Sequence, residues 1–199
     1  MIPTGGAIAQ ALEDADARPG QEFAPDALIV ASVEYPALDA GRWLARLAAI
    51  GDQALAEVAS QAGVEGPLHA RVEAINRCLY GTLGFRGNRD HCGDVRNSCL
   101  NQLLERRTGI PITLAIVYME VARRAGLRVE GINFPGHFLV RVRDGAATAS
   151  ADAGLVVDAF NDGAILTEPD CRALLTRHEE TLAFHPALLA RASRRQVFV

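Results

Sequence analysis

The chain has 199 residues, 49% hydrophobic and 22% charged, with a formal net charge of −4, a balance that suits one soluble domain. All 20 basic residues are arginine, which excludes a Schiff-base lysine and the lysine of a phosphate-binding loop. The arginines are dispersed among acidic residues, so no concentrated field for nucleic acid arises. With no run of about 18 apolar residues to span a bilayer, we expect a cytoplasmic protein without nucleic-acid or membrane partners.

Residues 1–21, rich in Gly, Ala, Asp and Pro, read as a flexible lead-in, and 22–199 as a single domain. Pro25 and Pro36 each suit a first helical turn, and Trp43, Leu44, Leu47 and Ile50 recur at helical spacing, so two helices are predicted before residue 62. After the break from Gly63 to Pro67, Leu68, Val72, Ile75 and Leu79 share one side of a third helix. The stretch 81–96 is polar and glycine-rich, a candidate functional or mobile loop carrying His91 and Cys92. A short helix is predicted over 98–107. Another, over 111–125, is apolar almost all round, as a helix buried on most sides must be.

Beyond Gly126 the hydrophobic period changes to two. Strands are predicted at 129–133, 138–142 and 155–158, with Asp144-Gly145 as a turn after the second, and a short helix follows at 169–175. Helices first and strands afterwards predict an α+β fold, in which N-terminal helices and a central buried helix pack on a small antiparallel sheet.

Four cysteines stand at 78, 92, 99 and 171 without dense or regular spacing, the pattern of reduced thiols rather than a disulfide framework. Cys78 and Cys171 read as packing residues. His91-Cys92 with Cys99 offers no C-x-x-C pair and no i, i+4 histidines, so neither a metal nor a cofactor is expected. His178 and His185, flanking Glu179-Glu180, read as exposed polar surface.

The stretch Glu105-Arg106-Arg107-Thr108-Gly109-Ile110-Pro111-Ile112-Thr113-Leu114, continued through Glu120 to Gly126 and on to Asn133-Phe134-Pro135-Gly136-His137-Phe138-Leu139-Val140, resembles the SirB-like branch of the transglutaminase-like superfamily. Glu34 to Asp39, Asp94 to Ser98 and Val157 to Asn161 fit the same branch. The resemblance covers roughly residues 30–180. It implies a papain-like α+β fold with a Cys, His, Asp triad in that chain order. The cysteine would stand at the N-terminus of the central helix, where free amides and the helix dipole lower a thiol's pKa. A histidine at the head of a strand would be the base, and an aspartate on the next strand would set its tautomer.

Two of these positions carry over, to His137 and Asp158. The third falls on Pro111, which has no thiol, and a two-residue shift brings only the hydroxyl of Thr113 into place. Cys99 and Cys92 are the thiols that could approach His137 instead, although an isolated cysteine is more simply a small buried hydrophobe. The resemblance therefore implies a catalytically degenerate domain. Its old cleft, bordered by His137, Asp158, Asn97, Glu105, Arg106, Pro111 and the 84–96 loop, would hold a protein segment or small ligand in a regulatory role. Related domains occur beside tetratricopeptide repeats in bacteria and within F-box proteins, both settings of protein recognition. The alternative is an amide hydrolase or acyl transferase with His137 as base, Asp158 orienting it, and Cys99, Cys92, Thr113 or water as nucleophile.

Overall fold

The computed structural model describes residues 22–91, 93–145 and 154–198. The lead-in expected at 1–21 and Cys92 lie outside the described residues, as does the chain immediately after the Asp144-Gly145 turn.

Helix α1 (Ala24–Ala31) carries Pro25 in its first turn, as expected. Helix α2 (Ala40–Gln61) begins four residues after Pro36, not at it, because the Asp39 side chain accepts from the Arg42 amide and caps the helix there. Helix α3 (Leu68–Asn76) buries Val72 and Ile75, then widens into a π-helical turn over Arg77–Thr82. The expected regular helix to Leu79 is thus replaced in its last turn. The wider turn projects Tyr80 to the carbonyl of Ala159, 2.9 Å away.

The 81–96 segment is not all loop. Strand β1 (Arg86–Gly87) pairs in parallel with β2 (Thr108–Gly109), and Val95–Ser98 forms a 3-10 turn. Strands of two residues leave no periodicity to read. Between them, α4 (Leu100–Arg106) buries Leu100, Leu103 and Leu104, each contributing about 2 kcal/mol, and ends where Arg107 turns left-handed at φ 58°. The central helix, α5 (Pro111–Arg124), is buried from Thr113 to Met119 and at Val121 and Ala122, which bears out its all-round apolar sequence.

Four antiparallel strands follow in chain order: β3 (Arg128–Phe134), β4 (His137–Arg143), β5 (Leu155–Asp158) and β6 (Ala164–Leu166). β6 was not predicted, since three residues cannot establish alternation. Helix α6 (Glu168–His178) is capped by a reciprocal pair, Thr167 with Asp170. A 3-10 turn (Pro186–Leu189) and α7 (Arg194–Phe198), both unpredicted, complete the described chain. On α7, Arg194 reaches the fully buried Asp26 of α1 at 2.6 Å, tying the C-terminal helix to the first one.

Strand alternation divides the sheet cleanly. Phe138, Val140, Val142 and Val157 face α5 in the main core, whereas Ile132, Phe134 and Leu139 face Cys171, Leu174 and Leu175 of α6 in a smaller one. The fold is therefore α+β, with the sheet between the helical layer and α6.

Candidate functional site

His137 opens β4 directly after the Pro135-Gly136 turn, where Gly136 adopts φ 67°. Asp158 ends β5. The register pairs Val140 with Val157, so one step further outward Asp158 lies diagonal to His137 on the same face. Their side chains meet: His137 Nε2 is 2.9 Å from Asp158 Oδ1, and the two side chains are only 4% and 2% exposed. With Nε2–H donating to the carboxylate, Nδ1 is the basic nitrogen of the neutral ring.

Asp158 is held from several directions. The amides of Phe160 and Asn161 donate to Oδ1 at 3.0 and 3.2 Å, and Asn161 Nδ2 donates to Oδ2 at 2.5 Å. Burial alone would push the carboxyl up. The bond and charge of His137, joined by the Asn161 side chain and amide, outweigh that and hold it below the usual carboxylate range. A depressed folded value means that Asp158 contributes stability above its unfolded value, about 3.9, and loses it as pH falls through the folded one. In urea titrations, the part of the stability difference between the native protein and Asp158→Asn that comes from the carboxylate's depressed value should be present at pH 5 and shrink below about pH 4.

The face on which the pair lies is the α6 face. His178, at the end of α6, stacks on His137 with centroids 5.7 Å apart and planes 17° from parallel, and Phe160 meets the same ring edge-on at 5.8 Å. This corrects the expectation that His178 is only polar surface: the residue is exposed, but its ring covers His137. A Cβ on Gly136 would lie 2.6 Å from that of His178, so the turn before β4 needs glycine for space as well as for φ. The separation of 41 positions between the two histidines hides their contact from any local pattern.

The remaining predicted residues gather around the N-terminus of α5. Pro111 occupies its first turn. Thr113 is buried; its hydroxyl donates to the carbonyl of Asn97 at 2.9 Å and accepts from the Ile110 amide at 3.2 Å, so it serves as a cap. Asn97, fully buried, accepts from Asn88 Nδ2 at 3.0 Å and donates to the His91 carbonyl at 2.8 Å, which fixes the 88–91 loop to this helix end. Glu105 is exposed. Arg106 pairs with Asp94 at 3.2 Å, and the Asp94 carboxyl is drawn down to about 2, first by its hydrogen bond with Arg96.

None of the three described cysteines resembles an activated thiol. Cys99 is buried at the N-cap of α4 with Sγ 3.7 Å from the Val95 carbonyl, and burial, then Glu34 and Asp94, push its thiol up. Burial likewise pushes up Cys78 and Cys171. Among the described residues, no group of three or more His, Cys, Asp or Glu is arranged to hold a metal ion.

A cleft of about 590 Å³ lies beside the pair, lined by Arg86 to His91, Arg106, Thr108, Phe160 and Asp162. Phe160 forms both its wall and the edge-on contact to His137. Arg89 lies over the Phe160 ring at 5.6 Å and donates to Asn161 Oδ1 at 2.5 Å. No local pattern singles out Arg89, which the sequence places only within the 84–96 loop bordering the cleft, or Phe160 and Asn161, which it places only within a matching stretch. The position of Asn161, three residues after Asp158, is the one local signal that such a side chain can return to the carboxylate.

Among the described residues, no helix is long and apolar enough to cross a membrane. The profile of the transglutaminase-like superfamily matches residues 42–199. A UPF0162 protein of Xylella fastidiosa (strain 9a5c) is 42% identical over 152 residues, 76% of this chain and 50% of that protein. F-box only protein 21 of Mus musculus is 42% identical over 109 residues, 54% of this chain and 17% of that protein. A UPF0162 protein of Vibrio cholerae is 33% identical over 114 residues, 57% of this chain and 40% of that protein. The chain thus spans about half the length of the Xylella relative. No solved structure matches. With the profile spanning most of its length over this helix-and-sheet arrangement, the chain belongs to the transglutaminase-like superfamily.

Proposed function

We propose that this domain is a catalytically degenerate member of the SirB-like branch, a regulatory module that holds a segment of a partner protein in the cleft beside His137 and Asp158. The observation that carries this reading is the N-terminus of α5. The position where the superfamily's thiol would stand is Pro111, and the nearby Thr113 hydroxyl is committed to Asn97 and Ile110. Two further observations support it: His137 is enclosed by Phe160 and His178, and the thiol of Cys99 is raised rather than lowered. The curated relatives include F-box only protein 21 of Mus musculus and UPF0162 proteins of bacteria. A domain shared between such different hosts suits a recognition role, and in a bacterial cell we place it in the cytoplasm.

Alkylation kinetics test this directly. Followed thiol by thiol at pH 7, Cys78, Cys99 and Cys171 should react more slowly than a free cysteine, because burial covers them and raises their thiols, and His137→Ala should change the rate of none of the four cysteines. A thiol faster than free cysteine that loses its rate in His137→Ala overturns the degenerate reading. The second reading, a hydrolase that activates water, is favoured by one observation, the 2.9 Å bond between His137 and Asp158. It predicts hydrolysis of amide or thioester substrates that Cys99→Ser leaves intact and His137→Ala abolishes.

A further inference from the structure

We infer that the cleft beside the pair is a receptor for the carboxylate of an acidic side chain, with Arg86 and Arg89 as its anchors. The inference rests on the segment-binding reading and names the chemistry of the segment. Three arginines line this cleft from three elements: Arg86 from β1, Arg89 from the loop after it, and Arg106 from the end of α4. Arg106 already has a carboxylate partner in Asp94, which also holds Arg96. The side-chain partner of Arg89 is the neutral amide of Asn161. Arg86 is exposed, and among the described residues neither it nor Arg89 has a carboxylate within ion-pair distance.

The cleft also contains Asp90 and Asp162. Counted together with Arg96 and Asp94, the four arginines and three aspartates in and beside the cleft leave one positive charge, which a single carboxylate in the planar fork of a guanidinium balances and a dianion exceeds. The volume, about 590 Å³, falls within the range of organic ligand sites and is far larger than a small ion requires. The ring of Phe160 forms an apolar wall under Arg89, suited to the methylene stem of a glutamate whose carboxylate meets the guanidinium above.

The site is also wired to the pair. Arg89 holds Asn161 Oδ1, Asn161 Nδ2 holds Asp158 Oδ2, and Asp158 Oδ1 holds His137. A carboxylate that takes the fork of Arg89 competes with Asn161 for it, so occupancy is felt at Asp158 and His137 through two hydrogen bonds.

The test is an NMR titration of the labelled protein with the capped tripeptide Ac-Ala-Glu-Ala-NH2, its Gln counterpart and inorganic phosphate. The glutamate peptide should shift the Asn161 side-chain amide and the His137 ring. The Gln peptide should bind about tenfold more weakly, the scale of one charge-assisted hydrogen bond. Arg86→Gln and Arg89→Gln should each weaken the glutamate peptide by a similar factor, while Arg42→Gln, on α2, should not. Because Arg86 is exposed, its variant keeps the test readable even if Arg89→Gln disturbs the Asn161 contact. Equal binding of the Gln peptide overturns the carboxylate assignment and leaves segment binding standing. Phosphate binding more tightly than the glutamate peptide also overturns it, as does an absence of shifts with either peptide at millimolar concentration. Failure of the non-catalytic reading registers separately, in the thiol kinetics and in His137-dependent hydrolysis.

Discussion

Asp158→Ala should lower the unfolding free energy by about 3–5 kcal/mol, measured by urea denaturation at pH 7. Asp158 is buried, and its carboxylate accepts from His137 Nε2, the amides of Phe160 and Asn161, and Asn161 Nδ2. Truncation leaves those donors facing an apolar gap, at about 1–3 kcal/mol for each one left unsatisfied. The Asn161 amide keeps a second acceptor in the Asp158 carbonyl at 3.2 Å, so the loss falls short of a simple sum. Asp158→Asn retains one carbonyl oxygen and should cost less, about 1–2 kcal/mol. A loss under about 1 kcal/mol for alanine, smaller than one unsatisfied buried donor, would mean that the pair is not a structural anchor.

The second large effect is expected at Gly163. It sits at φ 75°, and a Cβ there would lie 2.2 Å from Asn76 Oδ1 and 2.4 Å from its Cγ. Asn76 cannot move aside cheaply, since its Nδ2 donates to the Gly163 carbonyl at 2.7 Å and its Oδ1 accepts from the buried Tyr118 hydroxyl at 3.0 Å. Gly163→Ala combines a left-handed backbone penalty with overpacking, together about 3 kcal/mol, which for a chain of this size is a fall in Tm of roughly 6–12 °C. The same turn carries Phe160 and Asn161. Calorimetry should therefore show a lower Tm, and the His137 ring resonance should move as the contacts around Asp158 are displaced. An unchanged Tm would sink the claim that Asn76 and Gly163 lock this turn.

The two predictions share a cause. Asn76 and Tyr80, on the helix that widens at its end, hold the turn after β5 by the carbonyls of Gly163 and Ala159. That turn returns amides to Asp158, which in turn orients His137. Neither helix residue is near the pair in sequence, and neither carries a motif.

Much of the architecture was legible because it depends on period. The all-round apolar run after Pro111 could only be a helix buried on most sides, and the change to alternation after Gly126 marked three of the four strands of the main sheet. What escaped were elements too short to have a period, β1, β2 and β6, and the start of α2, where the side chain of Asp39 rather than the proline ring decided the boundary. For the site, His137 and Asp158 were named by resemblance and by chain order, and the departure at Pro111 was visible from the same alignment of motifs.

The amino-acid sequence by itself determined the class of fold, which follows from local period, and through its resemblance to the superfamily it pointed to the two residues that hydrogen-bond at 2.9 Å and to Pro111 where that resemblance expects a thiol. Tertiary structure alone decided which face of the sheet the pair occupies, that His178 and Phe160 cover it, and that Arg89 reaches it through Asn161. The physical reason is sequence separation. A stacked ring 41 residues away and an arginine 72 residues from its amide partner meet only because strand register and helix packing bring their backbones together, and no pattern within either segment encodes the other.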